Sequence, residues 1–395
     1  MGRHNAFTFP FTFFRQPAAQ VIPELQSYGF TGINLALNYH ASRDFLLRQG
    51  PALEYLADGF HYYQPNHDLY PEGAVTPHPK DTLLDNQLLD GVMHEANVRN
   101  FEVNAWAVFM HNSALGYQYP KLTVTNCFGN HFLSELCPSS REISGYISGL
   151  SADLCSRGIT SLAMESLHFH GAHHGEHHER FFLEMGEITA FLFSLCFCPS
   201  CIANFSGDGA ALKEKVATLL QPFLAEADPW LDVALTQENL ANIVGEELLL
   251  YLSAREQTIA ERYREVGAIA ARFGVRTKFV DQAPLISGSA GAPLAKSWQV
   301  GINNALIDSI VDIYEPLIYR TSAREVSEIA RHLRGELTSD ITAILRPTFP
   351  DNSSEESLTA KVAALREHSI TDIDFYLLDA MRPRDLGWIS RALTS

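Results

Sequence analysis

The 395-residue sequence predicts an α/β protein, specifically a (β/α)8 TIM barrel with long insertions after strands 2 and 4. Eight short, β-rich runs recur along the chain, and helical patterns lie between them. The runs are apolar almost throughout, which is typical of parallel strands buried on both faces. Alternating strands and helices with eight strands favour a barrel. A doubly wound open sheet is the alternative, but the first strand lacks the Gly-rich phosphate turn of dinucleotide-binding sheets.

The predicted strands and helices alternate in the order that a barrel needs. The eight predicted strands are Phe7–Phe14, Gly32–Tyr39, Phe101–Phe109, Ser161–Leu167, Arg276–Gln282, Ile310–Leu317, Ile341–Thr348 and Asp374–Asp379. The predicted helices are Ala18–Ser27, Asp81–Arg99, Glu142–Arg157, Glu238–Phe273, Ser322–Arg334 and Ser357–His368. Each strand is thereby separated from the next by enough chain to cross back over the sheet.

Two long segments interrupt this rhythm, one between Tyr39 and Phe101 and the other between Leu167 and Arg276. Both follow strand ends, where the loops of a barrel build the substrate pocket. We therefore expect one elaborated barrel over residues 1–395. Its insertion at 168–275 carries a His-rich loop, a cysteine cluster and a helical arm.

The composition disfavours nucleic acid and membrane surfaces as partners. The net charge of −17 would repel nucleic acid and anionic lipid, so it disfavours both and favours a small neutral substrate. The N-terminus lacks the pattern of a signal peptide, and no apolar run reaches transmembrane length. Six cysteines, three of them clustered, are typical of a metal site or of free thiols in a reducing compartment. These features predict a cytoplasmic protein.

Three cysteines lie at C-x-C-x2-C spacing: Cys196, Cys198 and Cys201. Thiols at this spacing can bind one tetrahedral metal ion, most often zinc. Cys137 is the candidate for the fourth ligand, because structural zinc cross-links neighbouring loops. The alternative is a set of reduced, half-buried thiols without a metal.

The motifs around these cysteines follow a recognisable order. Phe128-Gly129-Asn130-His131 comes first, then Cys137-Pro138-Ser139-Ser140, a helix, a strand that ends in Glu165, and finally Cys196–Phe205. This order resembles the zinc-carrying bacterial β-galactosidases and related glycoside hydrolase-like barrels over roughly residues 100 to 205. The resemblance implies that Glu165 is the catalytic acid/base and that four cysteines bind zinc, namely Cys137, Cys196, Cys198 and Cys201.

Two positions depart from the family pattern. The family places Asn before the acid/base, where this chain has Met164, and a nucleophilic Glu at the end of strand seven, where it has Arg346 and then Asp351. Glycoside cleavage normally needs a second carboxylate. Asp281 and Glu315, at the ends of the predicted fifth and sixth strands, are the candidates, with Asp379 behind them. The alternative for Glu165 is a structural ion pair with an arginine of the helical arm. The alternative for Asp281, Glu315 and Asp379 is an ion pair with Arg320, Arg346 or Arg382.

Six of the sixteen histidines follow the Glu165 strand directly, between positions 168 and 180. Imidazoles hydrogen-bond sugar hydroxyls and also bind metals. We predict substrate binding for His168, His170, His173 and His174, with a second metal site or a solvated loop as alternatives. The sequence His173-x-x-Glu176-His177 matches an inverted zinc-protease motif, but the glycines at 171 and 175 disfavour the helix that it requires.

Side chains near two other strand ends complete the predicted substrate site. Aromatic rings stack on the apolar face of a pyranose, while Asn and His bind its hydroxyls. The predicted residues are Asn38 and His40 after strand two, and Trp106, His111 and Asn112 at strand three. Trp106 could equally be a core residue.

The sequence thus predicts a glycoside hydrolase-like enzyme that acts on a carbohydrate or glycoside by carboxylate general acid/base catalysis. One alternative is a metal-dependent TIM-barrel lyase, isomerase or hydrolase that uses the His-rich loop. The other is a non-catalytic carbohydrate-binding barrel. The apolar run from Leu248 to Leu252 either packs on the barrel or forms a contact in a homo-oligomer.

Overall fold

The computed structural model describes residues 2–48, 52–56, 59–79, 87–171 and 180–395. Eight parallel strands form a closed barrel, which confirms the predicted fold class. The strands are β1 (Asn5–Thr8), β2 (Gly32–Tyr39), β3 (Glu102–Val108), β4 (Ser161–Glu165), β5 (Arg276–Asp281), β6 (Ile313–Pro316), β7 (Asp340–Leu345) and β8 (Asp372–Phe375).

The first strand closes the barrel because it pairs on both sides. Asn5 of β1 is in register with Gly32 of β2, and Ala6 of β1 is in register with Phe375 of β8. Closure removes the unpaired edges of the sheet. It also gathers the carboxyl ends of all eight strands at one mouth, where the site residues lie.

Helices surround the barrel and alternate with its strands. They are α1 (Ala18–Ser27), α2 (Gln87–Arg99), α3 (Arg141–Cys155), α4 (Glu246–Phe273), α5 (Asn304–Asp308), α6 (Ala323–Glu336), α7 (Glu355–Glu367) and α8 (Pro383–Thr394). The side chain of Ser140 caps the first turn of α3, and α4 ends at Gly274, whose φ of 69° is in the left-handed region that glycine favours. In the described part of the chain no helix is both long and apolar enough to span a lipid bilayer.

Additional elements decorate the mouth of the barrel. Antiparallel hairpins are formed by Ser42–Leu46 with Ala52–Leu56 and by Thr123–Thr125 with His131–Leu136, and short strands lie at Phe60–His61 and His78–Pro79. Short helices are Phe11–Arg15, Ser113–Gln118, Glu187–Ser194, Pro199–Asn204, Gly209–Leu219, Gln221–Ala225, Gln237–Val244 and Ala283–Ser287, and 3-10 turns are His67–Leu69, Pro120–Leu122, Ser297–Val300 and Leu378–Ala380.

The interior of the barrel holds a polar layer beneath an apolar one. The ammonium of Lys278 lies 3.0 Å from carboxylate oxygens of both Glu315 and Asp374, and all three side chains are almost fully buried. Asn34 donates a 2.7 Å hydrogen bond to Asp374. Closer to the mouth, an apolar cluster that includes Phe7 and Trp106 fills the barrel. The interior is therefore a packed core, with no open channel along its axis.

Two predicted elements have different bounds in the structure. The predicted strand Phe7–Phe14 ends at Thr8, because Pro10 lacks an N–H for pairing and the chain turns into the helix Phe11–Arg15. The predicted helix Glu238–Phe273 breaks at Gly245, whose φ of 113° no helix can accommodate. Within the Leu248–Leu252 run, Leu248 and Leu252 are buried and Leu250 is exposed.

Replacing Lys278 with Met should lower the free energy of unfolding by about 3–5 kcal/mol, because two buried carboxylates would lose their cation. Urea denaturation of the purified variant measures this change. Lys215→Met is the matched control, since Lys215 pairs with Glu247 on the surface and its loss should change stability little. Equal, small effects of the two substitutions would contradict the role given to the buried cation.

Candidate active site

Glu165 lies at the mouth of the barrel, where it is the last residue of β4. Its side chain is half-buried, and the indole N–H of Trp106 donates a 2.5 Å hydrogen bond to its carboxylate. Burial raises the pKa of Glu165, while His40 and the Trp106 hydrogen bond act in the opposite direction. A carboxyl group that is accessible and retains its proton to higher pH than usual is suited to donate that proton.

Three tyrosines surround this carboxylate. The hydroxyls of Tyr39 and Tyr376 lie 3.3 Å apart, and the rings of Tyr319 and Tyr376 have centroids 6.0 Å apart. Burial raises the pKa of all three hydroxyls, and the negative charge of Glu165 raises each of them further. Together with Trp106, these tyrosines form an aromatic cup around Glu165.

Two further carboxylates lie beside the aromatic cup. Asp44, on the hairpin after β2, is half-buried, and its charge contributes to the raised pKa of Tyr39 and of Tyr376. The charge of Asp351 contributes to the raised pKa of Tyr319, and its carboxylate is 3.6 Å from Arg346. The Arg346 guanidinium is 4.2 Å from the centroid of the Tyr319 ring. Both carboxylates therefore act electrostatically on tyrosines of the cup.

A row of imidazoles extends from Glu165 into the barrel wall. The rings of His40 and His111 stack with centroids 4.9 Å apart, and His111 lies 6.1 Å from His170. The Nδ1 atom of His170 is 3.3 Å from a carboxylate oxygen of Glu135. Burial lowers the pKa of His168 and of His170 to about 3, so both are neutral at neutral pH. Neutral imidazoles can donate and accept hydrogen bonds with sugar hydroxyls.

A cavity of about 350 Å³ opens at the end of this row, lined by His168 and His170. Phe191 and Leu195 form part of its apolar wall. Polar groups reach it from four other elements: Glu187 and Ser194 of the helix Glu187–Ser194, Arg255 of α4, Gln282 after β5 and Gln299 of the turn Ser297–Val300. An apolar pocket with a few converging polar groups is the usual form of a small-molecule site.

The four predicted cysteine ligands converge at one buried point. The Sγ atom of Cys137 lies 3.6 Å from that of Cys198, 3.5 Å from that of Cys201 and 3.8 Å from that of Cys196. Four sulfurs at about 2.3 Å from a tetrahedral zinc ion would be about 3.8 Å apart. The neighbouring thiols donate hydrogen bonds that lower the pKa of Cys198, so the cluster favours a thiolate. These residues can hold a metal ion, as predicted.

Other predicted substrate residues have structural contacts. Asn38 is buried and bridges β2 to β3 through the backbone N–H and C=O of Val108. Asn112 accepts the Leu115 N–H and caps the helix Ser113–Gln118. Trp106 is 1% exposed, so it belongs to the core while its N–H reaches Glu165. His173 and His174 lie outside the described residues, as does the rest of the protease-like motif.

The side chains of both predicted second carboxylates are almost fully buried in contacts with other residues of the barrel. Burial, reinforced by the charge of Asp374, raises the pKa of Glu315 well above its usual range, and the carboxyl contacts Lys278 inside the barrel. Glu315 therefore forms a structural ion pair, as the alternative prediction had it, but its partner is Lys278 and not one of the predicted arginines. Asp281 is buried beside Tyr314 and accepts the N–H of Ala283 at 2.8 Å. Asp379 accepts hydrogen bonds from Thr8, Phe9 and Thr12.

Sequence reasoning missed Tyr319, Tyr376 and Asp44 as parts of the mouth. Tyr376 comes directly after β8 and Tyr319 lies three residues after β6, so the rule that barrel sites collect at strand ends could have identified them. Asp44 carries no comparable signal, because the fold of the hairpin decides where it lies. Arg255 was missed for a similar reason, since nothing in a 28-residue helix indicates which arginine it buries.

Comparisons with known proteins place the fold among glycoside hydrolases. No family model matches the sequence, and no curated protein does. The structure is similar to the PgaB (BpsB) glycoside hydrolase domain from Bordetella bronchiseptica, with a TM-score of 0.60, 13% identity and 98% of each chain covered. It is also similar to the β-galactosidase of the psychrophilic Marinomonas ef1 (TM-score 0.59, 9% identity) and that of Halorubrum lacusprofundi (0.59, 10%).

The match covers 99% of this chain in both β-galactosidase comparisons, but only 59% and 57% of those enzymes. The chain therefore spans somewhat more than half of their length. At such low identity the likeness is one of fold. The resemblance of this chain to barrels of the β-galactosidase type is confirmed at that level.

Asp281 should make stability depend on pH. Burial raises the pKa of Asp281 to about 7 in the folded protein, whereas the same carboxyl in the unfolded chain has a pKa of about 4. Between these two pH values only the folded protein keeps the proton. The free energy of unfolding therefore falls as pH rises from about 4 to about 7. Asp281→Asn should therefore gain stability relative to the natural chain as pH rises from 4.5 to 7.5. Urea denaturation at several pH values measures the difference.

Asp308→Asn is a control with the opposite sign. Burial alone would raise the pKa of Asp308, but hydrogen bonds from Thr338 and Ser339 outweigh it, and the pKa is lowered. The natural carboxylate therefore stabilises the fold above the unfolded pKa and loses this effect in acid. A stability difference for Asp281→Asn that does not change with pH would show that Asp281 ionises normally in the folded protein.

Proposed function

We propose that this protein is a glycoside hydrolase in which Glu165 is the general acid/base. The observation that carries the proposal is the position of Glu165, half-buried at the end of β4 inside an aromatic cup, with a raised pKa. The fold shared with glycoside hydrolases supports it. The substrate would be a carbohydrate or glycoside that stacks on the rings of Tyr319 and Tyr376.

The contacts of Glu165 suit proton transfer to a departing glycosidic oxygen. The Trp106 N–H binds one carboxylate oxygen, and we assign proton transfer to the other. A protonated carboxyl donates its proton as the bond to the leaving group breaks, and the resulting carboxylate then activates water. Hydroxyls of Tyr39 and Tyr376 can hold sugar oxygens beside it.

Asp44 is our candidate for the second carboxylate. It is half-buried at the mouth, and both its charge and that of Glu165 act on the hydroxyls of Tyr39 and Tyr376, which supports a position near the same hydroxyl pair. Asp351 is the less favourable choice, because Arg346 already pairs with it. Asp281 and Glu315 are less favourable still, because both side chains are almost fully buried in contacts with other residues of the barrel.

The predicted alternatives have less support. Within the described residues, the four-cysteine cluster is the group of side chains whose ligand atoms converge closely enough to hold a metal ion. His168, His170 and Glu165 do not form such a group there. A carbohydrate-binding barrel without catalysis is the remaining alternative, and the next experiment separates it from an enzyme.

Glu165→Gln should lower the turnover of alkyl glycosides by about 10²–10⁴-fold, because it removes the proton that the leaving group needs. Aryl glycosides with strongly acidic phenols as leaving groups should lose less, since their departure requires no proton. Asp44→Asn should slow both classes of substrate. Steady-state rates on a panel of glycosides measure these changes.

Glu102→Gln is the matched control, because Glu102 begins β3 at the opposite end of the barrel and is also half-buried. It should leave all rates unchanged. Full activity of Glu165→Gln would refute the assignment, and sugar binding without turnover by the natural chain would favour the non-catalytic barrel. Loss of activity in Asp351→Asn but not in Asp44→Asn would move the second role to Asp351.

We also propose that the cysteine cluster holds structural zinc. The sulfur separations fit a tetrahedral ion, and four thiolate ligands leave no open position for substrate or water. The backbone N–H groups of Thr125 and Cys201 donate to the sulfurs of Cys196 and Cys198, which would offset part of the thiolate charge. Such a site would join the loop after β3 to the loop after β4.

Purified protein should contain about one zinc ion per chain. Cys198→Ser should lose the metal and lower the melting temperature, because zinc binding contributes directly to folding. Metal analysis and thermal denaturation measure the two effects. Cys155→Ser is the control: Cys155 is a buried free thiol outside the cluster, so this variant should keep its zinc. A metal-free natural protein of unchanged stability would refute the zinc site.

Location and partners follow from the same features. Six cysteines that form no disulfide among the described residues support a reducing compartment, and we propose the cytoplasm. A small carbohydrate is the proposed partner, and the acidic charge disfavours nucleic acid. A homo-oligomer stays a prediction, for which the exposed side chain of Leu250 offers a small apolar contact.

A further inference from the structure

Arg346 follows β7 directly and lies against the aromatic cup. Its guanidinium is 4.2 Å from the centroid of the Tyr319 ring. Backbone pairing brings the two residues together, because the N–H of Ile318, just before Tyr319, donates to the carbonyl of Ile344 in β7 at 3.0 Å. The positive charge of Arg346 also acts to lower the pKa of the Tyr319 and Tyr376 hydroxyls, against the larger effect of burial. The cup therefore has a cation at its edge.

The donors of Arg346 are available to a ligand. Its side chain is 27% exposed, and its guanidinium donates no hydrogen bond to a residue in the described ranges. None of its nitrogen atoms is enclosed there without a partner, so each of them reaches solvent. The carboxylate of Asp351 is 3.6 Å from Nε, which balances the charge but exceeds the length of a hydrogen bond.

A second arginine at the mouth shows the contrast. The Nη1 and Nη2 atoms of Arg320 donate to the backbone carbonyls of Tyr319 and Pro284, at 3.0 and 2.5 Å. Arg320 thereby joins the loop after β6 to the loop after β5, which is a structural role. Arg346 makes no such bond to the described part of the chain, although it lies beside the same tyrosine.

Buried polar groups hold the loop that carries Arg346. The side-chain amide of Asn352 donates a 2.6 Å hydrogen bond to the Arg346 carbonyl. The ammonium of Lys361 donates to the carbonyl of Asp351 and to the side-chain oxygen of Asn352, at 2.5 and 2.8 Å. Asn352 and Lys361 are both almost fully buried. The backbone at Arg346 is therefore fixed before a ligand arrives, which lowers the entropic cost of binding.

We infer that Arg346 binds two neighbouring hydroxyl groups of a neutral sugar in the aromatic cup and so determines which sugars the site accepts. The inference rests on the proposed glycosidase function and deepens it by naming a specificity-determining residue. A guanidinium is planar and directs neighbouring N–H groups in fixed directions, and hydroxyl oxygens on adjacent ring carbons accept hydrogen bonds. Tyr319 supports the guanidinium from one side in this arrangement.

Charge favours a neutral sugar over an acidic one. An anionic group on Arg346 would lie close to the Asp351 carboxylate, which already balances the same guanidinium. The negative charges of Glu165 and Asp44 act on Tyr376, as does the charge of Arg346, so both would repel such a group as well. Hydroxyls accept hydrogen bonds from the guanidinium without adding a charge.

Calorimetric titration of Glu165→Gln protein tests the inference, because this variant should bind without turnover. The ligands are the methyl glycosides of glucose, galactose, mannose and xylose and their monodeoxy derivatives. For a glycoside that binds, removal of either of two neighbouring hydroxyls should weaken binding about tenfold or more. After Arg346→Met is added, the same two removals should change affinity less than about threefold. Arg272→Met, exposed at the far end of α4, should keep the original pattern.

Arg346→Lys separates geometry from charge and guards against misfolding of the methionine variant. Lysine keeps the positive charge but lacks the planar pair of donors, so the penalty for removing at least one of the two hydroxyls should disappear while circular dichroism stays unchanged. Penalties that persist in Arg346→Met would overturn the inference. So would the absence of binding by every neutral glycoside, or tighter binding of methyl glucuronide than of methyl glucoside.

The experiment also separates this inference from the proposed activity. Turnover of aryl glycosides, with hydroxyl penalties that are the same with and without Arg346, would refute the role of Arg346 alone. Binding that depends on Arg346 and on two neighbouring hydroxyls, without turnover by the natural chain, would support the sugar contact and refute the glycosidase alone.

Discussion

The barrel is organised around one buried cation. Lys278 enters the interior from β5 and contacts Glu315 of β6 and Asp374 of β8, while Asn34 of β2 completes the layer through Asp374. Four strands are thereby linked across the interior as well as through their backbone ladders. Hydrogen bonds of this kind have strict geometry, so the layer fixes how the strands are staggered. The position of every side chain at the mouth depends on that stagger.

The sequence was informative where local chemistry decides the structure. Hydrophobic runs identified all eight strands, and β2 and α1 begin and end where expected. The convergence of the four cysteines could also be predicted, because their spacing and the order of their loops in the sequence indicate it. Glu165 was found from its place at the end of an apolar run.

What the sequence could not reveal depends on the third dimension. Asp281 ends β5 and Glu315 is the last residue but one of β6, yet one points into the barrel wall and the other into the barrel interior, because alternate residues of a strand face opposite sides. Without the register, these orientations are undetermined. Asn38 and Asn112 satisfy backbone groups of the loops, a role that depends on partners distant in sequence. Asp44 reaches the mouth only because the hairpin that carries it folds over the end of the barrel.

The apolar cluster under the mouth has a consequence for the kinetics of any reaction at Glu165. Phe7 and Trp106 are buried and fill the barrel beneath Glu165, so a substrate reaches this carboxylate from the mouth. In a hydrolase of this shape, both fragments of a cleaved substrate leave by the path along which it arrived. The fragment held more deeply must wait for the other, and while it remains bound it competes with the next substrate. For the proposed hydrolase, product inhibition would thus follow from the architecture, whichever sugar is cleaved.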